Sequence, residues 1–259
     1  MTITEVLVLL GSGFAVGFIN TVAGGATVIS LASLMVLGLP FTVANATHRV
    51  AALFQTVAST GSFIRLKALH PRTGVKLGIP VLLGSVPGAW LAVVIDDTSF
   101  ERVAAVALLF MLFAMVVKPG VWLSGKLTTP KMEPKWWQYF LFFGIGFYGG
   151  MIYIGIGYVL LAGLVLGTGF DLLRANALKA FIVMLYVPAT LILFIMADLI
   201  HWQYALMLSV GQAAGALLAI RVSFKGGNEF IRWFMVVFIL ITLGELFQLT
   251  NIREWIAGV

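Results

Sequence analysis

Long apolar runs, separated by short stretches that contain Gly, Pro or charged residues, follow one another along most of the chain. A helix that crosses a membrane needs about 20 such residues. The pattern predicts helical segments at approximately 4–22, 26–39, 42–64, 75–95, 100–117, 136–153, 157–168, 172–197, 202–221 and 230–250. Segments 26–39 and 157–168 are short for a full crossing, so each is interpreted as a tilted helix or as one arm of a re-entrant hairpin.

The composition indicates which class of protein this pattern belongs to. Of the 259 residues, 61% are hydrophobic and only 10% are charged, whereas a soluble domain has about 25% charged residues. The mean hydropathy is +1.07. The chain is therefore predicted to be an all-α, multi-pass membrane protein. It has no cysteine, which excludes disulfides, thiolate metal sites and cysteine nucleophiles.

The sequence also repeats itself at an almost constant shift. Gly13 and Gly17 match Gly146 and Gly150 at a shift of 133 residues. Three further matches follow in order, at shifts of 131, 127 and 130: Ala44-Asn45-Ala46 with Ala175-Asn176-Ala177, Gly84 and Gly88 with Gly211 and Gly215, and Phe100 and Arg102 with Phe230 and Arg232. This order predicts a duplication, with a first repeat at 1–118, a linker at 119–134 and a second repeat at 135–259.

The distribution of charge predicts how the two repeats are oriented. The loop 65–76 carries four Lys or Arg residues, whereas its equivalent in the second repeat carries none. Basic residues also mark the stretches 118–135 and 221–229. The positive-inside rule places these three stretches in the cytoplasm and both termini in the periplasm. Equivalent loops then lie on opposite sides, which predicts two inverted repeats of about five segments each, an architecture typical of transporters.

The first candidate site lies where the first helix should break. Gly24 and Gly25 permit the backbone angles of a break, and Asn20 and Thr21 precede them. A broken helix exposes backbone N–H groups, and the N-terminus of the next helix attracts anions. We expect the amides of Gly24 and Gly25 to bind an anion. The alternative is a glycine hinge used for packing.

Four polar residues near the start of the third segment, Asn45, Thr47, His48 and Arg49, extend this candidate site. A buried guanidinium needs a negative partner, and no Asp or Glu occurs between Glu5 and Asp96. A bound anion satisfies this need. The alternative is that Arg49 extends to the lipid headgroups. His48 is interpreted as a proton relay or a substrate ligand, the alternative being a simply hydrogen-bonded histidine.

The second repeat offers equivalent residues at Tyr153, Gly157, Asn176 and Lys179. Together the two halves are expected to form a central, positive binding pocket. Gln55 and Gln212 are weaker candidates. Glu245, the acidic residue of the last segment, is interpreted first as the partner of a basic residue and otherwise as a proton or cation site.

Motifs of enzymes are missing from the sequence: it contains no H-E-x-x-H, G-x-S-x-G or Walker A pattern. We therefore predict neither catalytic residues nor a metal site, and no cofactor other than a coupling H⁺ or Na⁺. Without a nucleotide-binding fold, any transport must be driven by a gradient.

The stretches GFINTVAGG and GLPFTVANATHRVA in the first half, and GFYGG and GTGFDLLRANALKA in the second, resemble the sulfite exporter TauE/SafE family. The resemblance implies a duplicated transporter for small sulfur-containing or organic anions. By motif it assigns substrate binding to Asn20, Gly24, Gly25, Asn45, Thr47, Arg49, Asn176 and Lys179. Ala26 replaces a glycine that is common in the first motif, and the break at 153–158 is less polar than is usual.

The sequence as a whole favours a secondary transporter that moves a small anion, such as sulfite or an organosulfonate, across the bacterial inner membrane by alternating access. Its expected partners are the anion, the lipid bilayer and a second copy of the chain, and no nucleic acid. One competing hypothesis is an anion-selective channel. Another is a membrane scaffold that transports nothing.

Overall fold

The computed structural model describes residues 1–22, 24–96, 98–100, 102–103, 105–106, 109, 134–170 and 172–222. Regular structure in these residues is helical. The helices are α1 (Ile3–Val22), α2 (Thr27–Val36), α3 (Phe41–Arg65), α4 (Pro71–Val94), α5 (Trp136–Met151), α6 (Ile156–Ala162, continued by a π-helical stretch at Gly163–Gly167), α7 (Leu172–Met196) and α8 (Trp202–Val222). Segment 230–250 and Glu245 lie outside the described residues, as do most of segment 100–117 and of the linker.

Membrane-crossing helices account for much of the described structure. Four of them are long and apolar enough to cross a bilayer: Ile3–Val22, Pro71–Val94, Leu173–Met196 and Trp202–Arg221. Helix α3 has 25 residues but carries many buried polar side chains. Helix α2 has 10 residues, which at about 1.5 Å each reach only halfway through the hydrocarbon layer. The prediction of an all-helical, multi-pass membrane protein is confirmed.

Glycines bring the helices together in two close pairs, α1 with α8 and α4 with α5. Gly17 lies against the backbone of Gln212, and Gly150 lies against the backbone of Ser85. A side chain at either glycine would overlap a carbonyl oxygen, so only glycine permits this approach. Both pairs are parallel, because the contacts advance along both helices in the same direction.

The contacts of one pair have counterparts in the other. The backbone of Phe143 faces Gly84, as that of Leu10 faces Gly211. The backbone of Phe147 faces Gly88, as that of Phe14 faces Gly215. These residues are related by the shifts of 133 and 127 found in the sequence. Gly24 and Gly157, also 133 apart, contact each other.

One end of the bundle collects basic residues. Phe63 at the end of α3 packs with Ala68, with Ala177 near the start of α7 and with Ile220 near the end of α8. Arg65, Lys67 and Arg221 therefore belong to this end, which we call the basic side. At the other end, the backbone N–H of His201 donates to Oγ1 of Thr47 at 3.0 Å.

Replacing Gly150 by Val is expected to destabilise the protein by about 1–3 kcal/mol or more, because the new side chain has no space against Ser85. Gly144→Val in the same helix is the matched control, since a Cβ there meets nothing within 4 Å. Thermal unfolding in detergent, followed by size-exclusion chromatography, measures the difference. Equal unfolding temperatures for the two variants would contradict the proposed packing.

Candidate functional site

The first helix ends inside the bundle at the predicted glycine motif. The N–H of Gly24 donates to the carbonyl of Ile19 at 3.2 Å, and Gly24 and Gly25 have φ values of +82° and +86°. This is the usual way in which glycine ends a helix. Oδ1 of Asn20 accepts from the N–H of Ala26 at 2.7 Å, immediately before α2. The amide of Gly24 therefore closes α1 in the structure, and the binding of an anion at this break stays a prediction.

A second helix ends in the same region of the bundle. Helix α5 stops at Met151, and Gly155 has a left-handed conformation before α6 begins at Ile156. Gly157 lies in the first turn of α6 rather than in the break itself. A Cβ on Gly157 would lie 2.9 Å from Cα of Gly24. The second motif thus allows the two breaks to touch.

Arg49 binds the end of α5. Its guanidinium donates to the carbonyls of Gly149 at 3.0 Å, Gly150 at 2.6 Å and Met151 at 3.3 Å. Cationic groups are stabilised there because the C-terminus of a helix carries a partial negative charge. The side chain is 0% exposed, so it does not extend to the headgroups. Backbone carbonyls supply the negative partner that the sequence analysis sought in an anion.

Two more of the predicted site residues form hydrogen bonds with the backbone and do not face a cavity. Asn45 donates from Nδ2 to the carbonyl of Met151 and accepts at Oδ1 from the N–H of Tyr153, both at 3.2 Å. Asn45 therefore fixes the path of the chain between α5 and α6. Thr47 fixes the start of α8 through the N–H of His201.

Lys179 and Asn176 bind the end of α1 in a similar way. The Lys179 ammonium donates to the carbonyl of Asn20 at 2.7 Å and to Oδ1 of Asn176 at 2.6 Å. Nδ2 of Asn176 donates to the carbonyl of Val22 at 2.9 Å. Each broken helix is thus held at its C-terminal end by an Asn and a cation from the long third helix of the other half.

A cavity lies beside the two breaks. Its volume is about 30 Å³, and a single water molecule needs about 10–15 Å³. Six predicted residues line it: Asn20, Thr21, Gly24, Tyr153, Gly157 and Lys179. The structure does not bring the other six to its wall: Gly25, Asn45, Thr47, His48, Arg49 and Asn176.

Helix α3 contributes polar residues that the sequence analysis missed. Thr56 and Ser59 line the cavity with Gln55, which was only a weak candidate, and with Phe63 near the basic side. Oγ1 of Thr21 lies 3.4 Å from Oγ of Ser59. The signal was present as polar residues three or four positions apart, a spacing that places them on one face of a helix.

Lys179 is the basic residue among the described residues of the cavity wall. None of the wall's described residues is acidic, and the ion pair found among the described residues joins the N-terminal amine to Glu5, 4.0 Å apart at the surface. The described residues contain no group of three His, Asp or Glu that could hold a metal ion. The chemistry available at the cavity is therefore hydrogen bonding and attraction of negative charge.

Four helices that can cross a membrane, together with helices α1 and α5 that end inside the bundle beside a polar cavity, define a membrane protein of the transporter class. Comparison with known proteins agrees. Residues 9–246 match the family described as Sulfite exporter TauE/SafE, and the chain belongs to this family.

Curated relatives carry transporter names. The chain is 28% identical to a probable membrane transporter protein of Haemophilus influenzae, over 89% of each chain. It is 24% identical to the probable membrane transporter protein ORF9 of a Sinorhizobium species, over 88% of this chain and 87% of that protein. It is 25% identical to the probable membrane transporter protein YfcA of Escherichia coli K12, over 85% and 81%. No solved structure matches the chain significantly.

Replacing Arg49 by Met is expected to destabilise the protein by about 1–3 kcal/mol, because the carbonyls at the end of α5 lose their donors. Arg65→Met, at the exposed end of α3, removes the same charge without affecting a helix end. Unfolding of the purified variants in detergent measures both. An Arg49→Met protein as stable as Arg65→Met would show that these bonds contribute little.

Proposed function

We propose that the protein is a secondary transporter that moves a small anion, of the class of sulfite or an organosulfonate, across the bacterial inner membrane by alternating access. One observation carries the proposal. The cavity between the two helix breaks holds the ammonium of Lys179, and no described residue of its wall is acidic. A bound anion supplies the missing negative charge.

The donors that remain around Lys179 suit an oxyanion. Two of the three ammonium protons are used, by Asn20 and Asn176, which leaves one for a ligand. Oδ1 of Asn20 is occupied by Ala26, so the Nδ2 donors of Asn20 remain for the cavity. Thr21 and Ser59 add hydroxyl groups at the wall. The volume fits an anion of only a few atoms.

The arrangement of the two halves supports the proposal of alternating access. The cavity extends from the breaks at Gly24 and Gly157 toward Phe63 at the basic side. On the other side of the breaks, Arg49, Asn45 and Tyr153 pack tightly together. The matching contacts of the two halves support an inverted repeat, in which the mirrored movement would open the cavity to the opposite side.

The charge distribution supports an orientation in the membrane. Basic residues concentrate on the cytoplasmic side of membrane proteins, so we assign the basic side to the cytoplasm. Helix α1 runs parallel to α8, which ends at the basic side. The N-terminus accordingly lies in the periplasm.

Replacing Lys179 by Gln is expected to weaken anion binding at least tenfold, because the variant keeps hydrogen-bonding capacity but loses the charge of the cavity. Lys76→Gln, on the exposed face of α4, is the charge-matched control. Sulfite, sulfate, thiosulfate and methanesulfonate are tested for binding to the purified protein and for flux into proteoliposomes. A wild-type protein that neither binds nor moves any of them would contradict the proposed function. Flux that does not saturate would favour an anion channel.

Access to the cavity can be tested with a single cysteine, because the natural chain has none. Cysteine in place of Ser59 is expected to react with a membrane-impermeant thiol reagent from the basic side, and more slowly when the anion is bound. Cysteine in place of Thr2 serves as the control for the opposite side. Labelling of both positions from the same side would contradict the proposed orientation.

A further inference from the structure

His48 is a buried histidine that has one unused ring nitrogen. Its side chain is 0% exposed. Nδ1 lies 2.6 Å from Oγ of Ser30 and 3.2 Å from Nε2 of Gln212. Nε2 of His48 has no hydrogen-bond partner among the described residues. Buried polar atoms nearly always have a hydrogen-bond partner, so the lack of one at this nitrogen needs an explanation.

The neighbours of His48 indicate which nitrogen carries the proton. The hydroxyl of Ser30 donates to the carbonyl of Thr27 at 2.8 Å. Its oxygen is then left to accept from Nδ1–H of His48 at 2.6 Å. Rotating the amide of Gln212 by half a turn lets its oxygen, which has no described partner, face the same Nδ1–H. Nε2 consequently holds a free lone pair, which can accept a proton.

The charged and titratable groups around His48 are few. Arg49 is its neighbour in α3, and Tyr153 lies between α5 and α6 with its ring centroid 5.1 Å from that of His48. Tyr186 of α7 is fully buried and interacts with Arg49 and Tyr153. Ser30 of α2 and Gln212 of α8 do not titrate, and His201 before α8 contacts this region through its backbone. No described carboxylate faces His48. A proton on His48 therefore sets a second positive charge beside Arg49.

Tyr153 links His48 to the cavity. Its ring packs against His48 and lies 5.3 Å from Cζ of Arg49, and the same residue lines the cavity together with Lys179. Tyr153 thus contacts both His48 and the cavity that contains Lys179. The negative charge of an anion beside Lys179 offsets the added positive charge, so the anion favours binding of the proton, and by linkage the proton favours binding of the anion equally.

We propose that His48 is the proton-binding site of this transporter, and that one proton crosses the membrane with the anion in the same direction. The proposal rests on the proposed anion transport and names its coupling ion. His48 takes up a proton at Nε2 when the anion binds, and returns it on the other side when the anion leaves.

The direct test measures proton uptake on binding. Methanesulfonate, which does not titrate near neutral pH, is added to the full-length protein in weakly buffered detergent solution. The wild type is expected to take up as much as one proton from the solution per anion bound, and so is the control His70→Gln. His48→Gln is expected to take up no proton and to bind methanesulfonate about tenfold more weakly than the wild type, because the linked proton no longer favours binding of the anion. If methanesulfonate is not bound, sulfate serves as the probe.

Transport gives the second readout. In proteoliposomes, an acid-outside gradient should drive accumulation by the wild type, whereas His48→Gln should exchange internal for external anion but accumulate at least tenfold less. If His48→Gln takes up as many protons as the wild type, the proton binds elsewhere. If this variant loses anion exchange, His48 is an anion-binding residue. Either result overturns the proposal. The proposal is also overturned if the wild type binds the anion without taking up a proton, or if Na⁺ alone drives accumulation. These wild-type measurements test the proposal even if the variant does not fold.

Discussion

The structure depends on ending two helices inside an apolar bundle and still satisfying their last carbonyls. Helices α1 and α5 stop at their breaks, where water would be needed if no protein group reached them. Arg49 supplies donors to the end of α5, and Lys179 with Asn176 supplies donors to the end of α1. Each set comes from the other half of the chain, so neither broken helix is complete without its partner.

This mutual capping explains why two buried cations persist without described carboxylate partners. The negative end of a helix is spread over several carbonyls, so it stabilises a cation without neutralising it fully. Arg49 uses the carbonyls of Gly149, Gly150 and Met151 and lies away from the cavity. Lys179 keeps one proton free at the cavity wall. The same solution at two helix ends therefore produces a structural cation on one side and a candidate binding cation on the other.

Glycine sets how near these parts can approach. The pairs α1–α8 and α4–α5 pack backbone against backbone, and Gly24 touches Gly157 where the breaks meet. The polar residues of both halves can contact one another only because these backbones are so close. In the proposed alternating access, one helix pair moves relative to the other, so that the cavity opens to the opposite side of the breaks.

The sequence by itself determined the class, the helical segments that lie within the described residues and the first break. These follow from local chemistry: apolar runs about as long as a bilayer is thick, and glycines that permit left-handed backbone at Gly24 and Gly25. The sequence could not show which groups the polar residues contact. Arg49 has no acid near it in sequence, and only the tertiary structure shows that α5, 100 residues away, provides its carbonyls. Thr56 and Ser59 gain meaning only when α3 meets α1, because the shape of a cavity is decided by contacts between distant segments.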